Sequence, residues 1–134
     1  MKIPILVSEF NGGKILTVNV IINNINSNFL LDTGASISVI DLRKLYKYTS
    51  SKPVKVLNIS SIYNDIDTYQ IKIQKFIMGK IVMKEKLFHT TDLINLNNTF
   101  STNHINVIDG ILGNDIIFDA VSKIDIDKKI IILK

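Results

Sequence analysis

The chain has 134 residues, of which 46% are apolar and 7% aromatic, and this length and composition suit one domain with a hydrophobic core. It contains no cysteine, which excludes disulfide bonds, thiolate catalysis and cysteine-based zinc sites. The formal net charge is +4, but the basic residues form neither a dense run nor an aromatic-lined platform for nucleic acid.

The N-terminal segment contains a short apolar run and a strongly alternating stretch. The run, Ile3–Val7, is too short for a membrane span or for the apolar part of a signal peptide, so we expect a soluble, cytoplasmic protein with no membrane partner. A chain trimmed of a leader or an anchor would have the same sequence. Apolar residues then alternate from Gly13 to Asn23, which predicts a strand whose core face carries Leu16, Val18, Val20 and Ile22.

A hairpin and a short helix are predicted next. Asn23–Asn26 predicts a turn, after which Ser27–Leu31 returns as the partner strand and places Asp32 at a strand end. A further strand is predicted over Ile37–Ile40. The residue after it, Asp41, has the position of an N-cap for a short helix that ends near Lys47.

The middle of the chain is predicted to be rich in β-structure. Val54–Ile62 and Ile66–Ile77 are predicted strands joined by a tip at Tyr63–Asp65, and a turn at Met78–Lys80 leads into a strand over Ile81–His89. Thr90–Asn103 is rich in Asn and Thr, and we predict an irregular loop there. Scattered lysines are interpreted as an ordinary solvated strand face; these are Lys52, Lys55, Lys72, Lys75, Lys80, Lys84 and Lys86.

The C-terminal part predicts a strand end, a short helix over Asn114–Phe118, and two strands within Val121–Lys134 around the turn Asp127–Lys129. Every position of Ile130–Leu133 is apolar, so both faces of this strand should be covered. The cover is either the rest of the domain or a sheet shared with a second copy of the chain. No internal repeat is visible, so we predict a single domain over residues 1–134.

Two short motifs carry the chemistry. The first is Phe29-Leu30-Leu31-Asp32-Thr33-Gly34-Ala35-Ser36, in which a carboxylate follows an apolar strand into a loop with a glycine and two hydroxyl groups. The second is Ile111-Leu112-Gly113 with the predicted helix after it. In this order, the motifs resemble those of the retropepsin-like, single-domain aspartic proteases of the bacterial and cellular type. The resemblance implies an all-β fold, a closed acid-protease β-barrel with one or two short helices.

The resemblance also implies a catalytic group. Asp32 matches the catalytic aspartate, Thr33 the threonine whose hydroxyl bonds across a dimer, and Gly34 the glycine that permits the loop. Such enzymes hold one water between two carboxylates that share a proton, and they require no metal or cofactor. The other aspartates near the second motif differ, because Asp109 lacks the Thr-Gly-Ala context and Asp115 is interpreted as a helix cap or brace. The second carboxylate should therefore be Asp32 of another subunit, which predicts a homodimer.

The substrate site that the resemblance implies comes from three places. Ala35 and Ser36 match the wall beside the catalytic aspartate, and Ile111 is either a lining of the pocket nearest the scissile bond or ordinary core packing. The flap falls on the predicted middle hairpin. Family flaps have glycine-rich tips, whereas this hairpin has no glycine before Gly79. Its candidate substrate-binding residues are Ser61, Ile62 and Tyr63.

Other kinds of site have less support in the sequence. His89 and His104 are single and far apart, so we predict no metal site. Ser36 and Ser38 lack the strand–Gly-x-Ser-x-Gly–helix context of a nucleophile elbow. Asn114 stands where viral members of the family often have an arginine beneath the active site.

Three functions stay open at this level. The leading hypothesis is a homodimeric aspartic endopeptidase that acts on extended, largely apolar peptide substrates. The alternative is a non-catalytic peptide-binding or dimerisation module on the same fold, which the glycine-free flap and the single aspartate motif support. A nucleic-acid-associated domain is supported by charge alone, and we predict no nucleic-acid partner.

Overall fold

The computed structural model describes residues 1–56 and 68–134. Within these ranges the chain is mainly β-structure, as predicted, with two α-helices and one 3-10 helix. The strands are β1 (Lys2–Pro4), β2 (Leu6–Phe10), β3 (Gly13–Ile22), β4 (Ile25–Leu31), β5 (Val39–Asp41), β6 (Val54–Val56), β7 (Thr68–Met78), β8 (Ile81–Thr91), β9 (Gly110–Leu112), β10 (Val121–Asp125) and β11 (Ile130–Leu133). The helices are the 3-10 helix Leu42–Lys47, α1 (Ile94–Thr102) and α2 (Asn114–Ala120).

Six strands close into a barrel, which confirms the predicted fold class. They pair around the ring in the order β3-β4-β9-β5-β8-β7, and the ring closes where the end of β3 pairs with β7 through Ile21↔Ile77 and Ile22↔Phe76. Strand β2 extends this sheet beside the first half of β3, and β6 extends it beside the start of β7. Closure removes most free strand edges from the sheet.

Asparagine makes the two tight turns at the ends of β3. Asn11 and Gly12 have φ values of 48° and 81°, and Asn23 and Asn24 have values of 47° and 69°. Two successive positive φ angles are typical of a type I′ hairpin turn, in which asparagine and glycine are favoured. The second turn is shorter than the predicted Asn23–Asn26, because Ile25 and Asn26 already pair with β3.

The barrel interior holds the main core, and the predicted core face of β3 contributes to it. Val18, Val20 and Ile22 are buried and Leu16 is half-buried. Aromatic side chains from three other strands fill the centre, where the ring centroids of Phe76 and Phe88 lie 5.5 Å apart. A second apolar cluster forms outside the main core around α1; its buried members are Leu93, Phe100, Ile105 and Ile108.

The prediction of an irregular loop over Thr90–Asn103 is wrong. Strand β8 continues to Thr91, and α1 occupies Ile94–Thr102. Asparagine and threonine have low helix propensity, so local preference does not account for this helix. Its packing does, because Phe100 is buried in the second cluster and the buried Asn97 side chain bonds to Asp41 and to the backbone of Ile108.

One other predicted boundary shifts, and one predicted helix is of a different type. The strand predicted over Ile37–Ile40 begins later, at Val39, because the backbone of Ser38 bonds to the Asp115 carboxylate and Ile37 stays exposed in a bend. Asp41 caps the next helix as predicted by accepting from the Arg43 N–H at 3.1 Å, but that helix is of the 3-10 type.

The two termini form a separate three-stranded antiparallel sheet in the order β1-β11-β10. The central strand is β11, in which Ile131 and Leu133 are buried while Ile130 and Ile132 are half-buried. The apolar C-terminal strand is therefore covered by the chain's own core on one face. In the part of the chain that the structure describes, no helix is both long and apolar enough to cross a membrane.

Candidate active site

Asp32 lies directly after β4, beside the parallel strand β9. The register pairs Leu31 with Leu112, and the Asp32 N–H donates to the Leu112 carbonyl at 3.1 Å. The two sequence motifs are therefore adjacent strand ends of one sheet. This pairing fixes the point at which the aspartate leaves the barrel, and the Asp32 residue itself is half-buried.

Two hydrogen bonds within the loop shape the turn that carries Asp32. Its Oδ1 accepts from the Gly34 N–H at 2.8 Å, and its carbonyl accepts from the Ala35 N–H at 3.1 Å. A Cβ atom at position 34 would lie 3.1 Å from the same carboxylate oxygen. Glycine therefore suits this position because of close approach to the carboxylate, and its backbone is not in the left-handed region.

The start of α2 holds the loop from below. The Asn114 N–H donates to the Ala35 carbonyl at 2.8 Å, and the Asn114 side-chain amide donates to the Thr33 carbonyl at 2.8 Å. The Asp115 N–H reaches the Ser36 carbonyl at 3.3 Å. Three carbonyl groups of the loop, those of Thr33, Ala35 and Ser36, are thus bonded to the start of α2, which limits how far Asp32 can move.

Ser38 and Asp115 form a second connection between the loop and α2. The buried Ser38 hydroxyl donates to Asp115 Oδ1 at 2.6 Å and accepts from the Gly113 N–H at 2.8 Å. The same carboxylate oxygen accepts from the Ser38 N–H and from the Ile116 N–H, each at 2.9 Å. The interpretation of Asp115 as a brace is confirmed. The role of Ser38 was missed, because only the fold brings it to Gly113.

Gly113 occurs where the loop and α2 are too close for a side chain. A Cβ atom there would lie 2.7 Å from the Ile37 carbonyl carbon and 2.9 Å from the Ala35 carbonyl oxygen, well inside van der Waals contact. The close approach is what allows the N–H groups of α2 to reach the loop carbonyls. The second motif therefore needs its glycine for packing.

The predicted substrate-binding residues come from three parts of the chain. Ala35 is half-buried and Ser36 is exposed on the loop, beside Asp32 in sequence, and Thr33 is exposed as well. Ile111 is half-buried and packs against the second apolar cluster, as do Leu30, Leu96 and Phe10. Ser61, Ile62 and Tyr63 lie outside the described residues.

The remaining aspartate of the second motif serves a different purpose. Asp109 lies at the opposite end of the β4–β9 pair from Asp32, where its Oδ1 contacts Lys47 at 2.8 Å and Lys44 at 3.2 Å. Its Oδ2 accepts from the Asn28 N–H at 2.8 Å. Burial opposes ionisation, but the bonds from Lys47 and Asn28 and the charge of Lys44 outweigh it and lower the pKa of Asp109.

The two histidines singled out in the sequence lie on different parts of the chain. His89 is half-buried on β8 and His104 is exposed after α1. Within residues 1–56 and 68–134, no group of three or more His, Asp or Glu side chains could hold a metal ion. Among the lysines singled out in the sequence, Lys86 contacts the brace, since its Nζ lies 3.7 Å from Asp115 Oδ2. The exposed lysines of the β7–β8 hairpin are Lys72, Lys75, Lys80 and Lys84.

Comparisons with known proteins give one family and one fold. The family model for aspartyl protease matches residues 18–116. No curated protein matches the sequence. A retropepsin-like aspartic protease from Rickettsia conorii superposes with a TM-score of 0.63 at 18% identity, covering 99% of this chain and 88% of that one.

Two further solved structures have similar folds. The EIAV protease complexed with the inhibitor HBY-793 gives a TM-score of 0.57 at 24% identity over 84% of this chain and 93% of that one. The retroviral protease-like domain of Ddi1 from Leishmania major gives a TM-score of 0.51 at 14% identity, covering 90% of this chain and 94% of that one. At these identities the likeness shows a shared, retropepsin-like fold, as the two motifs predict.

Proposed function

This chain belongs to the aspartyl protease family, and from that premise we propose that it is an aspartic endopeptidase that works as a homodimer. In this proposal, a water molecule lies between two Asp32 carboxylates, one from each subunit, and attacks the peptide bond of an extended substrate. Thr33 and Gly34 shape the catalytic loop, and Ala35, Ser36 and Ile111 line the neighbouring substrate site.

The observation that carries the proposal is the fixed position of Asp32. The Asp32 N–H is hydrogen-bonded to Leu112 of β9, and the Asp32 carboxylate accepts a hydrogen bond from the Gly34 N–H within the loop. The loop carbonyls are hydrogen-bonded to Asn114 of α2. A carboxylate held in this way is preorganised for a reaction in which geometry supplies much of the rate. The loop is also accessible, because Thr33 and Gly34 are exposed.

The chemistry requires two carboxylates that hold one proton between them. The ionised carboxylate removes a proton from the water, whose oxygen bonds to the carbonyl carbon of the substrate. The protonated carboxylate gives its proton to the carbonyl oxygen, which yields a neutral gem-diol. Collapse of the gem-diol breaks the C–N bond, and a proton passes to the departing amine. The products are a carboxylic acid and an amine, and no covalent intermediate forms.

A single chain supplies one carboxylate in the required loop. Asp115 bonds to Ser38 and the start of α2, and Asp109 is bound to Lys44 and Lys47 at the other end of the strand pair. Both are engaged in structural contacts. A twofold axis beside the loop is the economical source of the second carboxylate, since it presents the same Asp32 in the same geometry.

The first test is cleavage of an unfolded protein substrate across about pH 3–8, the range over which carboxylate pairs titrate. Wild type is compared with Asp32→Asn, which keeps the shape of the side chain but cannot act as the base. We expect the substitution to abolish cleavage while the fold and the dimer are unchanged. A statine-type inhibitor, which imitates the gem-diol, should bind wild type and stop cleavage.

The same experiment separates the proposal from the alternative. A peptide-binding or dimerisation module, favoured by the lack of a glycine in the predicted flap before Gly79, would bind peptide equally well before and after Asp32→Asn. A folded, dimeric wild type that binds peptide but does not cleave it at any pH would contradict the endopeptidase proposal.

A further inference from the structure

The two carboxylate oxygens of Asp115 have different partners. Oδ1 accepts hydrogen bonds from the Ser38 hydroxyl at 2.6 Å and from the N–H groups of Ser38 and Ile116 at 2.9 Å. Among the described residues, the partner of Oδ2 is the ammonium group of Lys86, at 3.7 Å. A carboxylate has two acceptor oxygens and can therefore bind the loop and a cation at the same time. Asp115 thus connects the loop that carries Asp32 to a charged side chain on β8.

Lys86 lies on the side of β8 that faces the barrel interior. Phe88 and Thr90, two and four residues later, are buried, and side chains at alternate positions of a strand share one face. Across the hairpin, Lys86 is paired with Ile73, which is fully buried. The Lys86 side chain itself is 28% exposed, so most of it is removed from solvent. Lysine is rarely buried to this extent without an anionic partner, and here that partner is Asp115.

A backbone irregularity in β8 turns Lys86 inward. Met83 is half-buried and packs against the main core, so strict alternation would place position 85 inward and position 86 outward. Instead, Lys84 and Glu85 are both exposed, and Glu85 has a φ of 53°. The left-handed region is unfavourable for a residue with a Cβ atom such as glutamate. The strand therefore tolerates local strain at Glu85, and the inward position of Lys86 is one result.

The charge of Lys86 supports the hydrogen bonds that join the loop to α2. The bond from the Ser38 hydroxyl to the Asp115 carboxylate is short, as is typical of a charge-assisted bond. The same hydroxyl accepts from the Gly113 N–H at 2.8 Å. Removing the cation would leave a carboxylate that is 27% exposed without its counter-charge, which is unfavourable for a partly buried group. The connection from Lys86 through Asp115 and Ser38 to Gly113 would then loosen.

We propose that Lys86 is a positioning residue of the active site, which acts through Asp115 and Ser38 to hold the Asp32 loop against α2. This inference rests on the proposed function, because the position of the loop affects catalysis only if Asp32 activates the water. The contact between Lys86 and Asp115 does not itself depend on cleavage. Its effect on the loop can therefore be measured in wild type whether or not the protein is active.

Amide hydrogen exchange measured by NMR tests the effect on the loop. Lys86→Met keeps the apolar stem of the side chain and removes the charge. We expect the Ser38 and Gly113 amides to exchange at least about tenfold faster in this variant, because local separation of the loop from α2 becomes easier. The Asp109 amide donates to the Asn28 carbonyl at the other end of the β4–β9 pair, and its exchange should change by less than about twofold.

Two control variants isolate the charge at position 86. Lys86→Arg retains a cation, and its exchange rates should stay within about threefold of wild type. Lys84→Met removes an exposed lysine from the same strand and should leave the Ser38 and Gly113 amides unchanged. Circular dichroism checks that each variant is folded. If Lys86→Met does not fold, Lys86→Gln provides a polar side chain without the charge.

A double-mutant cycle tests whether Lys86 acts through Asp115. Asp115→Asn keeps a side-chain oxygen that can accept from Ser38, but it removes the charge that Lys86 contacts. In this background, Lys86→Met should accelerate exchange of the Gly113 amide by less than about twofold, because the contact is already lost. An independent effect of Lys86 would instead appear in full in both backgrounds.

Steady-state kinetics of peptide cleavage measure the consequence for catalysis. Lys86→Met should lower kcat about three- to tenfold and leave KM within about twofold, since it changes the geometry of the reacting loop. Lys86→Arg should restore kcat to within about twofold of wild type. Rates are expressed per active site, titrated with a statine-type inhibitor, so that a loss of folded protein does not count as a loss of kcat.

The outcomes distinguish this role from the proposed function. Unchanged exchange at Ser38 and Gly113 in Lys86→Met would overturn the positioning role even if the protein cleaves peptides. The full effect in the Asp115→Asn background, or an unchanged kcat in an active enzyme, would overturn it too. Faster exchange in Lys86→Met, in a protein whose wild type cleaves nothing, would support the role of Lys86 in holding the loop and contradict the proposed function alone.

Discussion

At the scale of single residues, Asp109 is an aspartate with a structural role, whereas Asp32 is the aspartate that we propose for catalysis. Its side chain is 10% exposed and contacts Lys44 and Lys47, whose side chains are 20% and 29% exposed. Removing the negative charge would leave two largely buried ammonium groups without their anion. Breaking a buried charge cluster in this way is strongly unfavourable.

We predict that Asp109→Asn lowers the free energy of unfolding at pH 7 by about 1–3 kcal/mol, measured by urea denaturation. Because the folded pKa of Asp109 is lowered, its contribution is present above the unfolded value of about 3.9 and is lost as pH falls through the folded pKa. Wild type should therefore lose stability over this acid range, and the variant should lack that component.

The control for this prediction is Asp127→Asn, which changes an exposed aspartate in the turn between β10 and β11. It should leave both the neutral stability and the acid decline close to those of wild type. Equal acid declines in wild type and Asp109→Asn would show that the ion cluster does not control stability. The loss of folding stability at low pH also limits the cleavage assay, which must be carried out above the pH at which the protein unfolds.

At the scale of elements, α1 is a helix that depends on its contacts. Its sequence is dominated by Asn, Thr and Ser, which favour turns and caps over helix interiors. The buried Asn97 amide donates to Asp41 Oδ2 at 3.2 Å and to the Ile108 carbonyl at 3.0 Å, while its oxygen accepts from the Ile108 N–H at 2.8 Å. One side chain therefore docks α1 against β5 and the segment before β9.

We predict that Asn97→Asp destabilises the protein by at least about 2 kcal/mol, because the new carboxylate loses both donated bonds and faces the Asp41 carboxylate at low exposure. Urea denaturation measures the change. Asn98→Asp, on the exposed side of the same helix, should change stability by less than about 0.5 kcal/mol. Similar losses for both variants would mean that helix propensity, and not docking, governs α1.

At the scale of the whole molecule, the catalytic proposal makes activity a property of pairs of chains. A single chain places one Asp32 loop at one side of the barrel, braced by α2. Phe118 on the same helix is exposed. If the proposal holds, assembly and catalysis are linked, because the second carboxylate comes from the partner chain.

Mixing experiments test this link. If both carboxylates are required, a wild-type chain paired with an Asp32→Asn chain is inactive. With a fixed amount of wild type and random pairing, the remaining activity should equal the wild-type fraction of all chains, so a ninefold excess of the variant should leave about one tenth. Peptide cleavage after equilibration of the mixture measures this fraction. Activity that does not depend on added variant would show that one chain is sufficient.

The sequence by itself determined the class of fold and indicated where the proposed catalytic loop lies. Alternation in β3 predicts its buried face, because side chains of a strand point to opposite sides in turn. The Asp32 loop and Ile111-Leu112-Gly113 are recognised because each is a short run of residues that resembles a family motif. These are local requirements, and local requirements can be read from neighbouring residues.

Only the tertiary structure decided how distant residues meet. The α1 helix forms against its own propensities through Asn97, and Ser38 joins Gly113 to Asp115 across 75 and 77 positions of sequence. The placement of β11 between β1 and β10 is likewise a matter of pairing between chain ends. Such contacts depend on which surfaces the closed barrel brings together, and no short stretch of sequence contains that information.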